Sequence, residues 1–457
     1  MKNDRLKQTI LKFDRQVPRY TSYPTAPHFK DGFKAQDYQA WLKDIPDDSR
    51  LSVYLHIPYC TELCWYCGCH TKITKRYEPV KKYCAFLLKE ISLLGKALDT
   101  GRPVSHVHFG GGSPTIVSAE DFKKIMDALH DVFAIEEDAE IAIEVDPRTV
   151  DRERIETYAA VGINRLSIGA QDFNDKTLEA VNRVQPFELT RDVIKMARES
   201  GIERINMDLL YGLPFQSEET MSRTIDKALS LNPDRFALFG YAHVPWMKKH
   251  MRLIDENSLP DKSLRYDLAL TAHEILVSHG YQAIGIDHYA RLDDKLAVAA
   301  QSGQVHRNFQ GYTDDRAETL LPLGVSSIGT LPHGFVQNAS DLPHYTQALE
   351  QEELPIQKFC PVDAEDRLRA EVIETLMGSL AVDPGPICLR HGFAEDHLDS
   401  CLESLDALRD EGLVIVEGRR QIKMNPDARV LTRLAAAAFD RYFDMAAMQP
   451  ARHARAI

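Results

Sequence analysis

From about residue 50 the sequence alternates short apolar, β-branched runs with longer stretches of helical periodicity. This alternation constrains the fold more than any other feature, because strands separated by helices pair in parallel as βα units. Six runs stand out: LSVYLHI (51–57), VSHVHFG (104–110), AEIAIEV (139–145), INRLSIGA (163–170), IERINMDLL (202–210) and DRFALFGY (234–241). Residues 79–98, 118–132 and 217–231 lie between them and carry apolar positions at helical spacing. Unusual chemistry follows each run. After the first comes a cysteine cluster, after the second Gly110, Gly111, Gly112, Ser113 and Pro114, and after the third Asp146, Pro147 and Arg148. Gln171 and Asp172 follow the fourth run, Tyr211, Gly212, Leu213 and Pro214 the fifth, and His243 the sixth. Glu144 and Asp208 stand within the closing residues of their runs, where a charge is out of place in a buried strand. Barrel-type α/β proteins build their active sites at the C-terminal ends of the strands, so one mouth is expected to carry all of these groups.

The chain has 457 residues, more than one hydrophobic core usually spans, so a large catalytic domain plus a smaller unit is expected. Beyond residue 250 the pattern loosens, and HRNFQGYTDD (306–315) reads as a polar loop. From about 362 helical patterns at 364–379 and 395–410 precede LVIVEGRRQIKM (413–424), a hairpin candidate turning at Gly418 and suggestive of a winged-helix module. The reading is an N-terminal extension (1–48, without clear periodicity), a catalytic domain (49–361) and a helical C-terminal domain (362–457). A net charge of −13 repels phosphate backbones and anionic lipid, so neither nucleic acid nor membrane is an expected partner. Arg419, Arg420 and Lys423 on the hairpin are crowded by Asp406, Asp410, Glu411 and Glu417, which argues against duplex binding by the module. No apolar run approaches the roughly 20 residues of a spanning helix, and a cytoplasmic location is expected.

Eight cysteines are present, and Cys60, Cys64, Cys67 and Cys69 fall within ten residues. In a reducing compartment that cluster marks a metal or redox site rather than a disulfide framework. Three thiolates on one short loop can grip three corners of an iron–sulfur cube and leave the fourth iron open for reaction. The alternatives are structural zinc with Cys69 or His70 as fourth ligand, which normally needs two separated knuckles, and a thioredoxin-like Cys64–Cys67 pair, which leaves Cys60 unexplained. The glycine run permits close backbone approach to a ligand, or is simply a turn. Glu144 can pair with an ammonium or a ribose hydroxyl, or be a surface carboxylate.

Together the CX3CX2C loop (Cys60, Cys64, Cys67), the GGGSP turn and the βα alternation resemble the radical S-adenosylmethionine (SAM) superfamily. Cys69, PRYTSYPT (18–25) and HRNFQGYT (306–313) resemble one branch of it, the oxygen-independent coproporphyrinogen III oxidases of haem biosynthesis. The likeness runs from about residue 15 to the C-terminus. Trp65-Tyr66 and Ser113 depart mildly from the common Tyr-Phe and Thr, keeping an aromatic face and a hydroxyl. The resemblance implies a partial (β/α)6 TIM-type barrel with a helical, winged-helix-like C-terminal domain, a [4Fe-4S] cluster on Cys60, Cys64 and Cys67, and two SAM molecules. It implies Tyr54, Tyr66, Gly111, Glu144 and Ile328 around the first SAM, and Gly112, Ser113, Gln171, Arg183, Asp208 and Ala242 around the second. Cys69, Phe309 and Gln310 are implied to be catalytic, Cys69 without being a cluster ligand.

The implied reaction removes a hydrogen from the β-carbon of a propionate and releases CO2 and an electron to leave a vinyl group. Twice repeated, it turns coproporphyrinogen III into protoporphyrinogen IX. It needs a reducing electron donor and a further electron acceptor, and the family implies a monomer. Arg19, Arg165, Arg307 and Asn308 are candidate partners for the propionates, or members of structural ion pairs. Two rivals belong to the same superfamily: a haem chaperone, whose members lack the fourth cysteine and the PRYTSYPT extension, and a haem-degrading radical methyltransferase.

Overall fold

A computed structural model describes residues 2–98 and 101–443 of the chain. The six runs form strands β1 (Leu51–Ile57), β2 (Pro103–Gly111), β3 (Ala134–Val145), β4 (Arg165–Gln171), β5 (Arg204–Tyr211) and β6 (Arg235–Gly240). Four more complete the set used below: β7 (Tyr281–Ile284), β8 (His288–Arg291), β9 (Thr319–Leu323) and β10 (Ile328–Leu331). β1 to β6 pair in parallel in chain order, and β9 adds a seventh parallel strand on the free side of β1, with Leu321 opposite Val53. Antiparallel strands extend both edges: β8 and β7 beyond β6, and β10, Gly334–Asn338, Ile356–Pro361 and Lys30–Asp31 beyond β9. Among the described residues nothing pairs the two ends, so the sheet curls into a partial barrel. β9 escapes the sequence reading because Pro322 interrupts a five-residue apolar run, and proline demotes a run that otherwise reads as a central strand.

Helices cover the outer face: α1 (Glu78–Leu98), α2 (Ala119–Val132), α3 (Arg152–Ala160), α4 (Phe187–Glu199), α5 (Glu218–Ser230) and α6 (Lys262–Ser278). Their starts are set locally. Ser118, Asp151 and Ser217 each accept a hydrogen bond from a first-turn backbone N–H, satisfying donors that a helix end otherwise leaves open. Each of α1 to α6 places buried side chains against the sheet in one apolar core with Leu55, Val107, Ile143, Ile168 and Met207, Tyr266 of α6 alone of its buried apolar residues turning to a second core.

The two faces of the strands differ. In β5, Ile205, Met207 and Leu209 are buried toward the helices, while Asn206 and Asp208 turn to the barrel interior. The same alternation turns Ser52 and Tyr54, His106 and His108, Glu140 and Glu144, and Arg165 and Ser167 inward. Charges inside β3 and β5 are therefore the lining of a polar barrel, not intrusions into an apolar core. Its floor is an ion network: Arg165 pairs with Glu140 at 3.0 Å, and Arg235 pairs with Asp294 at 2.6 Å and Asp314 at 3.0 Å. Burial pushes the Glu140 carboxyl up, but Arg165 and Arg235 more than offset it and hold the group at about 2. Arg165 is committed here, which favours the structural ion pair of its two readings over a propionate partner.

A second apolar core lies in the C-terminal module, around α7 (Ala364–Ser379) and a small sheet of Ala381–Val382, Gln421–Met424 and Val414–Glu417. The predicted hairpin turns at Gly418, which has φ +61. The helix expected over 395–410 is instead broken into Asp399–Leu402 and Asp406–Asp410 with a 3-10 turn between them. On the hairpin Arg420 pairs with Asp399, and Lys423 with Glu417, so this wing offers little free positive charge. The N-terminal segment, without legible periodicity, forms a helix at Lys2–Lys12 and sends Ile10, Phe13, Val17, Tyr20 and Tyr23 into this second core. Tyr38, Leu42 and Ile45 join the barrel core instead.

Residues 306–315, read as a loop, contain a short hairpin of His306–Asn308 and Gly311–Thr313 with Phe309 and Gln310 at its turn. Three-residue strands leave no alternation to detect. The turn is set by Asn308 Oδ1, which accepts from the Gln310 N–H at 2.8 Å, and by Gly311 at φ +128, a conformation side chains resist.

Candidate active site

The cysteine loop leaves β1 at Pro58 and is fixed at several points. Lys72 N–H donates to Pro58 O at 2.6 Å, Trp65 N–H to Val181 O at 2.9 Å, and Asn182 Nδ2 to Leu63 O at 2.8 Å. His250 Nε2 meets Cys67 O at 2.8 Å, and Lys248 Nζ donates to Cys69 O at 3.2 Å. The glycine turn packs against this loop. Gly112 N–H donates to Ile57 O and Ser113 N–H to Tyr59 O, both at 2.8 Å, and a Cβ on Gly112 would lie 2.8 Å from Tyr59 O. Gly112 is thus required by close backbone approach within the chain itself.

Cys60, Cys64, Cys67 and Cys69 all open on a cavity of about 700 Å³ at the C-terminal ends of the strands. The donor set suits an iron–sulfur cluster. Arg148 Nη2 and Arg183 Nη1 each lie 3.4 Å from Cys64 Sγ, and Thr71 Oγ1 donates to Cys60 Sγ at 3.2 Å. Cationic donors stabilise thiolate sulfur, and hydrogen bonds to the sulfurs tune a cluster's potential. Arg183 Nε is buried without a hydrogen-bond partner, leaving a donor available to a negative group, whereas Arg148 Nη1 lies 3.7 Å from the Glu62 carboxylate. Among the described residues no group of three His, Cys, Asp or Glu side chains is placed to share one ion. Cys69 hydrogen-bonds to Cys67. This bond, aided by Lys248 and Arg183 and opposed by burial, lowers the Cys67 thiol, while the same bond, the Cys67 charge and burial together raise Cys69 well above its ordinary range.

The other predicted residues gather around the same space. Tyr66, Gly111, Gly112, Ser113, Gln171, Arg183 and Asp208 line this first lobe. Tyr54, Phe309 and Ile328 line a second lobe of about 820 Å³. Glu144, Ala242, Gln310 and Cys69 border both, so the lobes form one cavity. Glu144 Oε2 accepts from Gly111 N–H at 3.2 Å, and its other oxygen is 3.4 Å from His108 Nε2. With its side chain 39% exposed, it keeps acceptor capacity toward the cavity. Asp208 accepts from Asn206 Nδ2 at 2.9 Å and Ser167 Oγ at 3.1 Å. Burial, then the nearby Glu144 charge, outweigh those bonds and push its carboxyl up to about 7. Arg183 is bound to Gly169 O at 2.5 Å and paired with Asp146 at 3.5 Å. Gln171 holds φ +69 at a register shift in β4, which aims it away from the regular alternation.

Sequence reasoning missed several lining groups. Asp146 and Arg148 were visible as an unusual Asp-Pro-Arg after β3 but carried no assigned role. Arg265, Asp287 and Arg433 line the second lobe and carry no motif of their own.

A parallel α/β barrel with three cysteines of CX3CX2C spacing on the loop after its first strand defines a radical SAM protein. The model of the radical SAM superfamily matches residues 54–228. Curated relatives extend the likeness to nearly the whole chain. An oxygen-independent coproporphyrinogen III oxidase of Bradyrhizobium diazoefficiens is 44% identical, covering 94% of this chain and 96% of the relative. One from Helicobacter pylori is 37% identical, covering 95% and 96%. A solved structure of Escherichia coli coproporphyrinogen III oxidase, described as a radical SAM enzyme, superposes with a TM-score of 0.88 at 36% identity, covering 94% of this chain and 100% of that one. The chain belongs to the family of oxygen-independent coproporphyrinogen III oxidases.

Proposed function

We propose that this chain oxidatively decarboxylates two propionate side chains of coproporphyrinogen III to vinyl groups, giving protoporphyrinogen IX. The observation that carries the reading is the convergence of the cysteine loop, Glu144, Asp208 and Gln310 on one two-lobed cavity. Cys60, Cys64 and Cys67 would hold a [4Fe-4S] cluster, and two SAM molecules would occupy the space around it. When bound, these groups supply the one-electron chemistry that removes a hydrogen from an unactivated carbon, which no polar side chain can do.

The protein's own residues bind, orient and exclude water. Tyr54, Tyr66, Gly111, Glu144 and Ile328 would hold the first SAM, with the Glu144 carboxylate available to a ligand ammonium. Gly112, Ser113, Gln171, Arg183, Asp208 and Ala242 would hold the second. Asp208, held near neutrality, can give up its proton as a cationic ligand arrives, and the Arg183 Nε–H suits a ligand carboxylate. Cys69, Phe309 and Gln310 border the second lobe, where they would hold the reacting propionate beside the first. A porphyrinogen has the bulk to fill a lobe of this size and exclude water from the reacting carbon.

A cytoplasmic, monomeric enzyme served by a reducing electron donor and a separate acceptor accords with the chain's ordinary soluble composition. Among the described residues no helix is long and apolar enough to cross a membrane. The test is anaerobic reconstitution with iron and sulfide, followed by incubation with SAM, a strong reductant and coproporphyrinogen III. Protoporphyrinogen formed together with 5′-deoxyadenosine is the expected result; tight haem binding without decarboxylation would favour a chaperone.

A further inference from the structure

Four arginines from four separate segments meet on the wall of the second lobe. Arg19 comes from the PRYTSYPT extension, Arg265 from α6, Arg307 from the 306–313 hairpin and Arg433 from the helix Thr432–Ala436. Asp287 lines the same wall. It stands 3.8 Å from Arg307 Nη1, and the same oxygen is also 2.7 Å from His288 Nδ1. The Arg307 side chain is only 6% exposed, yet its Nε and Nη1 have no hydrogen-bond partner. Its guanidinium stacks 4.4 Å from the Tyr312 ring centre, and that ring is fixed by Tyr312 OH donating to Met377 O at 2.7 Å. Arg265 lies over the Tyr211 ring at 5.6 Å, in space that a Cβ on Gly212 would occupy. These cations oppose one another: burial first, then Arg19 and Arg307, press Arg433 down to about 10.

Arg307, nearly buried with two donors unpaired, leaves hydrogen-bonding capacity that a bound anion would satisfy. Planar guanidiniums held by stacking are shaped for carboxylates, which they bind through paired N–H···O bonds. We infer that Arg19, Arg265, Arg307 and Arg433 form a receptor for the substrate's propionates, gripping those that are not reacting and so setting which propionate faces Cys69 and Gln310. The inference rests on the proposed reaction and deepens it. It also gives work to motifs the barrel does not explain: the extension contributes Arg19, the hairpin orients Arg307, and the C-terminal module closes the wall with Arg433.

The test uses the full-length reconstituted protein and reads binding and turnover separately. Binding is followed anaerobically by fluorescence of coproporphyrin III, a stable tetracarboxylate, and of its tetramethyl ester, which lacks the charges. Wild type should prefer the acid over the ester by at least about tenfold, and Arg307→Gln and Arg433→Gln should lose most of that preference. In turnover these variants should raise KM for coproporphyrinogen III about tenfold with SAM affinity unchanged, and Arg307→Lys should recover part of the loss. Arg19→Gln, at the most exposed of the four positions, gives the same reading should a buried variant fail to fold. An acid-over-ester preference and KM equal to wild type in Arg19→Gln and the folded buried variants would overturn the receptor while leaving the reaction standing. Acid-selective binding through these arginines with no vinyl product from wild type would instead overturn the reaction and keep the receptor.

Discussion

Asp208 shows how a single residue can be legible while its protonation is not. A carboxylate near the end of an apolar strand was conspicuous in the sequence, but its protonation depends on Ser167, Asn206 and Glu144, which arrive from other strands. Its folded pKa, about 7, lies above the ordinary 3.8, so the folded chain binds the extra proton between those values. Stability from this group is therefore present below about pH 4 and lost as pH rises through 7. Three pKa units correspond to about 4 kcal/mol, which cavity water reduces to on the order of 2 kcal/mol. Asp208→Asn should be more stable than wild type by that amount at pH 8 and equal to it near pH 4 in urea unfolding of the ligand-free chain; parallel pH profiles would refute this. At the cysteines the spacing pointed to a triad, whereas Arg148 on Cys64 and Thr71 on Cys60 needed the fold. Cys67→Ala should abolish the cluster's visible absorbance, and Cys69→Ala should retain a cluster with little turnover. A cluster surviving the first change and lost with the second would reverse the assignment.

Among the elements, those with long periodic signals were readable, and those held by contacts were not. β1 and α1 announce themselves because Val53, Leu55 and Ile57, or Val80, Leu87, Ile91 and Leu94, repeat at strand or helix spacing. β9 hid behind Pro322, and the 306–313 hairpin behind strands too short to alternate. The glycine turn was read as either a ligand cradle or a plain turn. Its observed role is to let the chain lie against the cysteine loop, where a Cβ on Gly112 would come within 2.9 Å of both Tyr59 N and Tyr59 O. Backbone cannot swing aside as a side chain can, so Gly112→Ala should displace the loop while the barrel stays folded. Iron per chain after reconstitution should fall by more than about half with the circular dichroism spectrum unchanged; full iron loading would show that the approach is dispensable.

At the scale of the whole molecule, the N-terminal segment and the described part of the C-terminal module complete a single core. Tyr20 OH donates to Asp440 at 3.0 Å, Arg441 N–H donates to Tyr23 OH at 2.9 Å, and Ile10, Phe13 and Val17 are buried beside Leu376 and Phe439. This partnership was invisible in sequence because neither end has a periodic face that names its partner. Removing residues 1–24 should therefore speed hydrogen exchange in α7 and the small C-terminal sheet while leaving β1 to β6 protected; uniform protection would mean the extension is only an appendage. The account's central claim concerns the cavity these parts enclose, and it is tested most directly with coproporphyrinogen III deuterated at the propionate β-carbons. Anaerobic turnover with SAM should yield vinyl product and 5′-deoxyadenosine one deuterium heavier. Vinyl product accompanied by unlabelled 5′-deoxyadenosine, or no vinyl product at all from a fully loaded enzyme, would contradict it.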